Sequence, residues 1–131
     1  MIDYNNNSNS DWRNIKISIL GAGKSGIAAA KLATYIGAKV FISENSNCPN
    51  ILSDIDDMNF ESGGHSNSIL DADFIIKSPG IPNNIPIIEA INQKCLPIYS
   101  EIEFASWFTS YPILALTGSN GKSTTINLLH E

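Results

Sequence analysis

Two periods of apolar and polar residues alternate along this chain. Ile15-Lys16-Ile17-Ser18-Ile19-Leu20 is a β-branched, apolar run that predicts a strand, and Ile27 to Ile36, rich in alanine, predicts a helix. Gly37 supplies a helix stop, and Lys39-Val40-Phe41-Ile42-Ser43 predicts a second strand parallel to the first. Shorter signals follow: one or two helical turns over Ile51 to Ile55, a brief strand at Met58-Asn59-Phe60, a turn at Gly63-Gly64 and a short helix over Ser66 to Leu70. Asp73-Phe74-Ile75-Ile76-Lys77 reads as a buried strand ending at Ser78-Pro79-Gly80. Ile85, Ile88 and Ile91 recur at helical spacing between Asn84 and Lys94, with Pro86 admissible only in the first turn. Leu96 to Tyr99 predicts a fifth strand, and the capping-box spacing of Ser100 and Glu103 starts a helix at Glu101 that runs towards Trp107. This alternation predicts an α/β fold with a five-stranded parallel sheet.

Two glycine-rich stretches interrupt the pattern where chemistry is expected. Gly21-Ala22-Gly23-Lys24-Ser25-Gly26 lies between the first strand and the first helix, and Glu44 follows some 20 positions on, at the end of the second strand. That is the opening of a Rossmann-like unit. Its functional reading is a diphosphate held by backbone N–H groups at the helix N-terminus, with Lys24 and Ser25 at the rim; the alternative is a tight turn that lets the helix pack closely. Glu44 is either an acceptor for ribose hydroxyls or a solvated loop acid. Ser78, Pro79 and Gly80 sit at the carboxyl end of a central strand, where open α/β sheets bind ligands or simply turn.

The second stretch, Thr117-Gly118-Ser119-Asn120-Gly121-Lys122-Ser123-Thr124, follows the apolar run Pro112 to Leu116 and precedes a helix starting at Ser123. Strand, glycine loop and helix start make a phosphate loop, or P-loop, in which Lys122 meets the outer phosphates of a nucleotide and a Ser123 or Thr124 hydroxyl meets Mg²⁺. The general pattern wants a glycine where Leu116 stands, so the loop is a shortened form. The chain reaches its last residue soon afterwards, leaving no place for a metal-holding acid on a later strand. The expectation is a first domain, residues 1–100, followed by the start of an ATP-binding domain, residues 101–131.

Bulk composition narrows the partners. At 131 residues and 43% apolar, the chain has material for one complete core. A formal charge of −5 argues against nucleic acid or an anionic membrane surface as the main partner. Cys48 and Cys95 are far apart, and buried, reduced thiols are expected rather than a disulfide or zinc site. Met1 to Asp11 is polar and asparagine-rich, unlike a secretory signal, and no apolar run approaches membrane-spanning length. A cytoplasmic monomer is expected. His65 and His130 read as surface residues, Asp54, Asp56 and Asp57 as a solvated turn, and Trp12, Trp107 and Phe108 as packing groups at the domain's edges.

With both loops in view, the chain resembles the Mur ligase family, which builds peptidoglycan precursors. The matching pieces, in family order, are Gly21 to Gly26, then Asp71-Ala72-Asp73-Phe74-Ile75-Ile76-Lys77-Ser78-Pro79-Gly80-Ile81, Glu101-Ile102-Glu103-Phe104, and Leu116 to Thr124. The shortened phosphate loop is specific to this group. Folylpolyglutamate synthetases share it, but the Ser-Pro-Gly segment and the Rossmann-like first domain point to the peptidoglycan ligases. Ser119 and Ser123 give the loop a form similar to that of the D-glutamate-adding members.

The resemblance implies that ATP phosphorylates the carboxylate of UDP-N-acetylmuramoyl-L-alanine and that the amine of D-glutamate attacks the acyl phosphate, with Mg²⁺ as cofactor. It further implies that Gly21, Gly23, Lys24, Ser25, Gly26, Glu44, Asn45, Ser78, Pro79 and Gly80 grip the uridine diphosphate. Gly118, Asn120, Gly121, Lys122, Ser123 and Thr124 would hold ATP, with Lys122 the catalytic candidate and Ser123 or Thr124 on the metal. Many relatives carry aspartate where Glu44 stands. Later parts of the family's machinery are missing from this sequence, so no ligase turnover is expected of the 131 residues alone. Two other readings stay open: an NAD(P)-binding Rossmann module, which leaves the Lys122 loop unexplained, and a truncated product with no function of its own.

Overall fold

A computed structural model describes residues 11–47 and 58–120, together with Lys122 and Ile126. Strands β1 (Lys16–Leu20), β2 (Lys39–Glu44), β3 (Asn59–Ser62), β4 (Phe74–Lys77) and β5 (Ile98–Ser100) form one parallel sheet in the order β3-β2-β1-β4-β5. Helices α1 (Lys24–Tyr35), α2 (Pro86–Gln93) and α3 (Glu101–Ser106) cover it. Because β1 is central, the chain winds outward in both directions from it. The crevice between the loops after β1 and β4 is therefore the place where such sheets bind ligands.

Both faces of the sheet are buried, as β1 and β4 require with their near-continuous apolar sequences. On one face Ile17, Ile19, Val40 and Ile42 pack under Ala29, Ala30 and Ala33 of α1 and Phe104 of α3. On the other, Leu20 and Ile75 pack under Ile87, Ile88 and Ile91 of α2 and Ile69 of a 3-10 turn, Asn67–Leu70. The small alanine face lets α1 lie close to the sheet. The remaining space beside it is filled by aromatic rings: Phe104 meets Trp12, Trp107 and Phe108 at centroid separations of 6.4, 5.5 and 5.2 Å, and Phe74 meets Tyr99 and Trp107 at 5.6 and 5.8 Å. Most of these contacts are edge-on, the arrangement ring quadrupoles favour.

The helix boundaries follow from local chemistry. Gly37 (φ 93°) closes α1 by donating to Thr34 O at 2.9 Å while Ala38 N donates to Ala33 O at 3.0 Å, a Schellman closure. The same pair of bonds ends α2, from Cys95 N to Asn92 O and from Leu96 N to Ile91 O, but with Cys95 at φ 54° in the glycine position. Pro86 occupies the first turn of α2, and Ser100 Oγ accepts from Glu103 N at 3.1 Å to start α3.

Several expectations need correcting. Pro112 to Leu116 is not a strand: it has no regular structure, and Ile113 and Leu114 are exposed. A strand needs a neighbour to accept its hydrogen bonds, and none lies beside this segment among the described residues. Cys95 is exposed rather than buried, because it serves as the α2 terminus. The short helix expected over Ser66 to Leu70 is present as a 3-10 helix, Asn67–Leu70, capped by Ser66, whereas β5 begins at Ile98, since Cys95 and Leu96 are used in closing α2. The turns expected over Ile51 to Ile55, the acidic cluster of Asp54, Asp56 and Asp57, and Cys48 and His130 all lie outside the described residues.

Candidate ligand site at the carboxyl ends of the strands

A cavity of about 760 Å³ opens where β1, β2 and β4 end. It is lined by Gly21 and Gly23 from the loop after β1 and Ser25 from the first turn of α1, by Glu44 at the end of β2 with Asn45 and Ser46 after it, and by His65 beyond β3. The loop after β4 contributes Ser78 to Pro82, and the start of α2 contributes Ile85 to Ile87. Of the first-domain residues singled out from sequence, Gly21, Gly23, Ser25, Glu44, Asn45, Ser78, Pro79 and Gly80 meet here. Lys24 and Gly26 stand beside the cavity without lining it.

The four glycines divide into two kinds. Gly21 (φ 104°) and Gly26 are demanded by the fold: a Cβ on Gly26 would fall 2.1 Å from Gly21 O, and one on Gly21 would fall 2.9 Å from Ser78 Oγ. Gly23 and Gly80 are different, because a Cβ on either would meet no protein atom within 4 Å. Gly23 is also the N-cap of α1, in an extended conformation open to any residue (φ −68°, ψ 178°), and no side chain caps the helix there. The first turn of α1 thus presents N–H groups towards the loop with no acidic residue among them, and Lys24 adds a positive charge at an end that already carries a partial one. An anion supplied from outside satisfies that arrangement.

Carboxylates frame the cavity. Glu44 Oε2 accepts from Ala22 N at 2.8 Å and Oε1 from Ser46 N at 2.9 Å, so Glu44 ties the glycine loop to the end of β2. Burial pushes its carboxyl up, but the bonds from Ala22, Ser46 and Asn45 together outweigh that and hold it below the ordinary glutamate value. Glu101, buried at the start of α3, accepts through Oε1 from Ser25 Oγ at 3.0 Å and from Ser78 Oγ at 2.6 Å. The two loops on either side of the crevice are thereby joined through α3. Lys77 fixes the second of them by donating to Ile81 O at 2.8 Å.

At the far end, Ser43 Oγ lies 2.5 Å from Glu61 Oε1 and 2.7 Å from His65 Nδ1. Burial again works to raise the Glu61 carboxyl, and the bonds from Ser43 and Ser66 more than offset it, leaving it lowered. His65 is therefore a half-buried, hydrogen-bonded residue and not the surface histidine expected. Sequence reasoning passed over Ser43 and Glu61 as site residues, read His65 as a surface residue, and took Glu101 as a helix start and part of a family match without a role in the site. Their partners come from strand register, which sets Ser43 beside Glu61, and from contacts across 76 positions for Ser25 and Glu101.

In the second glycine loop, Gly118 has φ 146° and its carbonyl accepts from Lys122 Nζ. Gly118, Ser119, Asn120 and Lys122 are exposed, while Gly121, Ser123 and Thr124 lie outside the described residues. Among the described residues no group of three or more His, Cys, Asp or Glu side chains is placed to hold a metal, and no helix is long and apolar enough to cross a membrane.

Residues 15–100 match the family described as Mur ligase MurD-like, N-terminal domain. Among curated proteins, the UDP-N-acetylmuramoylalanine–D-glutamate ligase of Chlorobaculum tepidum is 43% identical over 117 residues, covering 87% of this chain and 25% of that protein. The ligase of the same description from Elusimicrobium minutum is 44% identical over 127 residues, covering 93% and 27%. The chain thus spans about a quarter of the length of these relatives. Among solved structures, UDP-N-acetylmuramate-alanine ligase MurC from Thermotoga maritima superposes with a TM-score of 0.57 at 23% identity, covering 70% of this chain and 22% of that one, a likeness of fold. By its matched sequence, this chain belongs to the family of Mur ligase MurD-like N-terminal domains.

Proposed function

We propose that the chain is the substrate-gripping part of an ATP-dependent ligase that joins D-glutamate to UDP-N-acetylmuramoyl-L-alanine in cytoplasmic peptidoglycan precursor synthesis. The relatives' names support the reaction, and the observation that carries the binding role is Gly23: an uncapped helix N-terminus opens onto the cavity through a glycine whose missing side chain no protein atom requires. The diphosphate sits against the first turn of α1, where backbone N–H groups face it and Lys24 adds positive charge from beside the cavity. Ser25, Ser78 and Gly80 border it, and Glu44 with Asn45 stands beside the nucleoside.

ATP and Mg²⁺ belong to the second loop in this reading. The described residues fit a phosphate: Gly118 has a backbone conformation that favours glycine, and Lys122 brings an exposed ammonium to the same loop. Bound there, ATP would supply the activating phosphoryl group. Gly118, Asn120, Gly121 and Lys122 would hold its phosphates, and Ser123 or Thr124 the metal.

Calorimetric titration of the 131-residue chain with UDP and with NAD tests the binding role. Saturable binding of UDP with weaker or no binding of NAD is expected. A preference for NAD would establish a dinucleotide-binding module instead.

A further inference from the structure

The geometry points to His65 as a specificity-determining residue, an obligatory hydrogen-bond acceptor that selects a ligand base carrying a ring N–H, as uracil does. This rests on the proposal that the cavity takes a uridine diphosphate. It starts from the direction of the hydrogen bonds behind the ring. Glu61 is ionised and can only accept, and its Oε1 receives the Ser66 N–H at 2.9 Å as well as Ser43 Oγ at 2.5 Å. Ser43 has a single proton, and the carboxylate takes it. Ser43 Oγ therefore has only lone pairs left for His65 Nδ1, 2.7 Å away, so Nδ1 must carry the ring's proton. In the neutral ring Nε2 then bears a lone pair. Among the described residues it has no hydrogen-bond partner, and His65 lines the cavity.

Its contacts with β2 indicate which part of the ligand reaches it. The diphosphate site lies after β1, whereas the bond to Ser43 and the approach of Gly64 N to Glu44 O at 3.4 Å hold His65 beside Glu44 at the end of β2, about one strand spacing, roughly 5 Å, further along the sheet. With Glu44 placed beside the nucleoside, that puts His65 at the nucleoside too, and its base is the part that can meet Nε2. A lone pair fixed there accepts from the uracil N3–H and opposes the N3 lone pair of cytosine. Ser43 and Glu61 are positioning residues in this scheme: they set the ring's tautomer without touching the ligand.

Nitrogen-15 NMR of the His65 ring, assigned with His65→Ala and recorded at about pH 8, should show a protonated Nδ1 and a bare Nε2. Calorimetry with UDP and CDP should show UDP bound about tenfold or more tighter. His65→Ala should bring UDP down to the affinity of CDP with its melting temperature nearly unchanged. In Glu61→Ala no oxygen is left to take the Ser43 proton, so Ser43 can donate to Nδ1, Nε2–H should appear and the preference for UDP should shrink. A proton found on Nε2 of the unaltered protein, or a UDP preference that survives His65→Ala, overturns the inference. UDP binding without preference over CDP also overturns it but leaves the proposed function standing. No UDP binding at all sinks both.

Discussion

Gly23 and Gly26 belong to the same short motif, yet alanine at each should fail in opposite ways. At Gly26 the new methyl would fall 2.1 Å from Gly21 O, well inside van der Waals contact. Gly21 cannot retreat freely, because its N–H bonds to Ser43 O at 2.8 Å and the next N–H, of Ala22, bonds to Glu44 at 2.8 Å. Overpacking of about 1–3 kcal/mol, together with about 1 kcal/mol for each loop hydrogen bond disturbed, gives a loss of about 3 kcal/mol. For a domain of this size that lowers the melting temperature by roughly 10 °C or more. At Gly23 the methyl meets nothing within 4 Å and the backbone suits alanine. The few tenths of a kcal/mol lost at the N-cap are offset by the smaller entropy of the unfolded chain, so stability should stay within about 0.5 kcal/mol. The methyl would instead stand where the diphosphate approaches, and UDP affinity should drop about tenfold or more. Thermal unfolding followed by circular dichroism, paired with UDP calorimetry, separates the two effects. Equal losses of melting temperature in both variants, or a Gly23→Ala protein that binds UDP as before, would refute this division of the motif.

Three further outcomes are open to measurement. Cys95→Gly relieves a non-glycine residue at φ 54° and should raise stability by about 1 kcal/mol in urea unfolding; an unchanged or lower midpoint counts against strain at the α2 terminus. Ser18 Oγ, in the central strand, is buried without a partner among the described residues, so Ser18→Ala should be neutral or stabilising by about 1 kcal/mol, and a clear loss would mean that the hydroxyl has a hidden partner. Glu44 and Glu61 have folded values lowered from 4.5, so the stability they add is complete above that pH and is lost as pH falls through the lowered values. Unfolding free energy should therefore decline on acidification below about pH 4.5, and less steeply in Glu61→Gln; stability that rises on acidification would contradict the assigned bonds.

Much of the fold could be read along the chain because its punctuation is local. Gly37, Pro86 and Ser100 act within a turn of where they stand, and the apolar strands β1 and β4 can only be buried on both sides. The phosphate-loop side shows the limit of that logic. Pro112 to Leu116 has the composition of a strand, but a strand is a relation between segments, and composition does not supply the partner. The same holds within the site. Gly21, Gly23 and Ser78 announce themselves by type and position, whereas Glu101 and His65 look ordinary until the sheet carries them to Ser25, Ser78 and Ser43. No spacing rule links residues brought together in that way.

Trp12 and Trp107 are the chain's two tryptophans, and both pack against Phe104 and Phe108 or Phe74 at the end of the sheet where the strands begin. Indole emission from this protein is consequently a lamp placed under α3. It should brighten, dim or shift when that helix lifts from the sheet, and stay dark to a nucleotide entering the crevice at the opposite end, so a fluorescence change on ligand addition would report that α3 itself has moved.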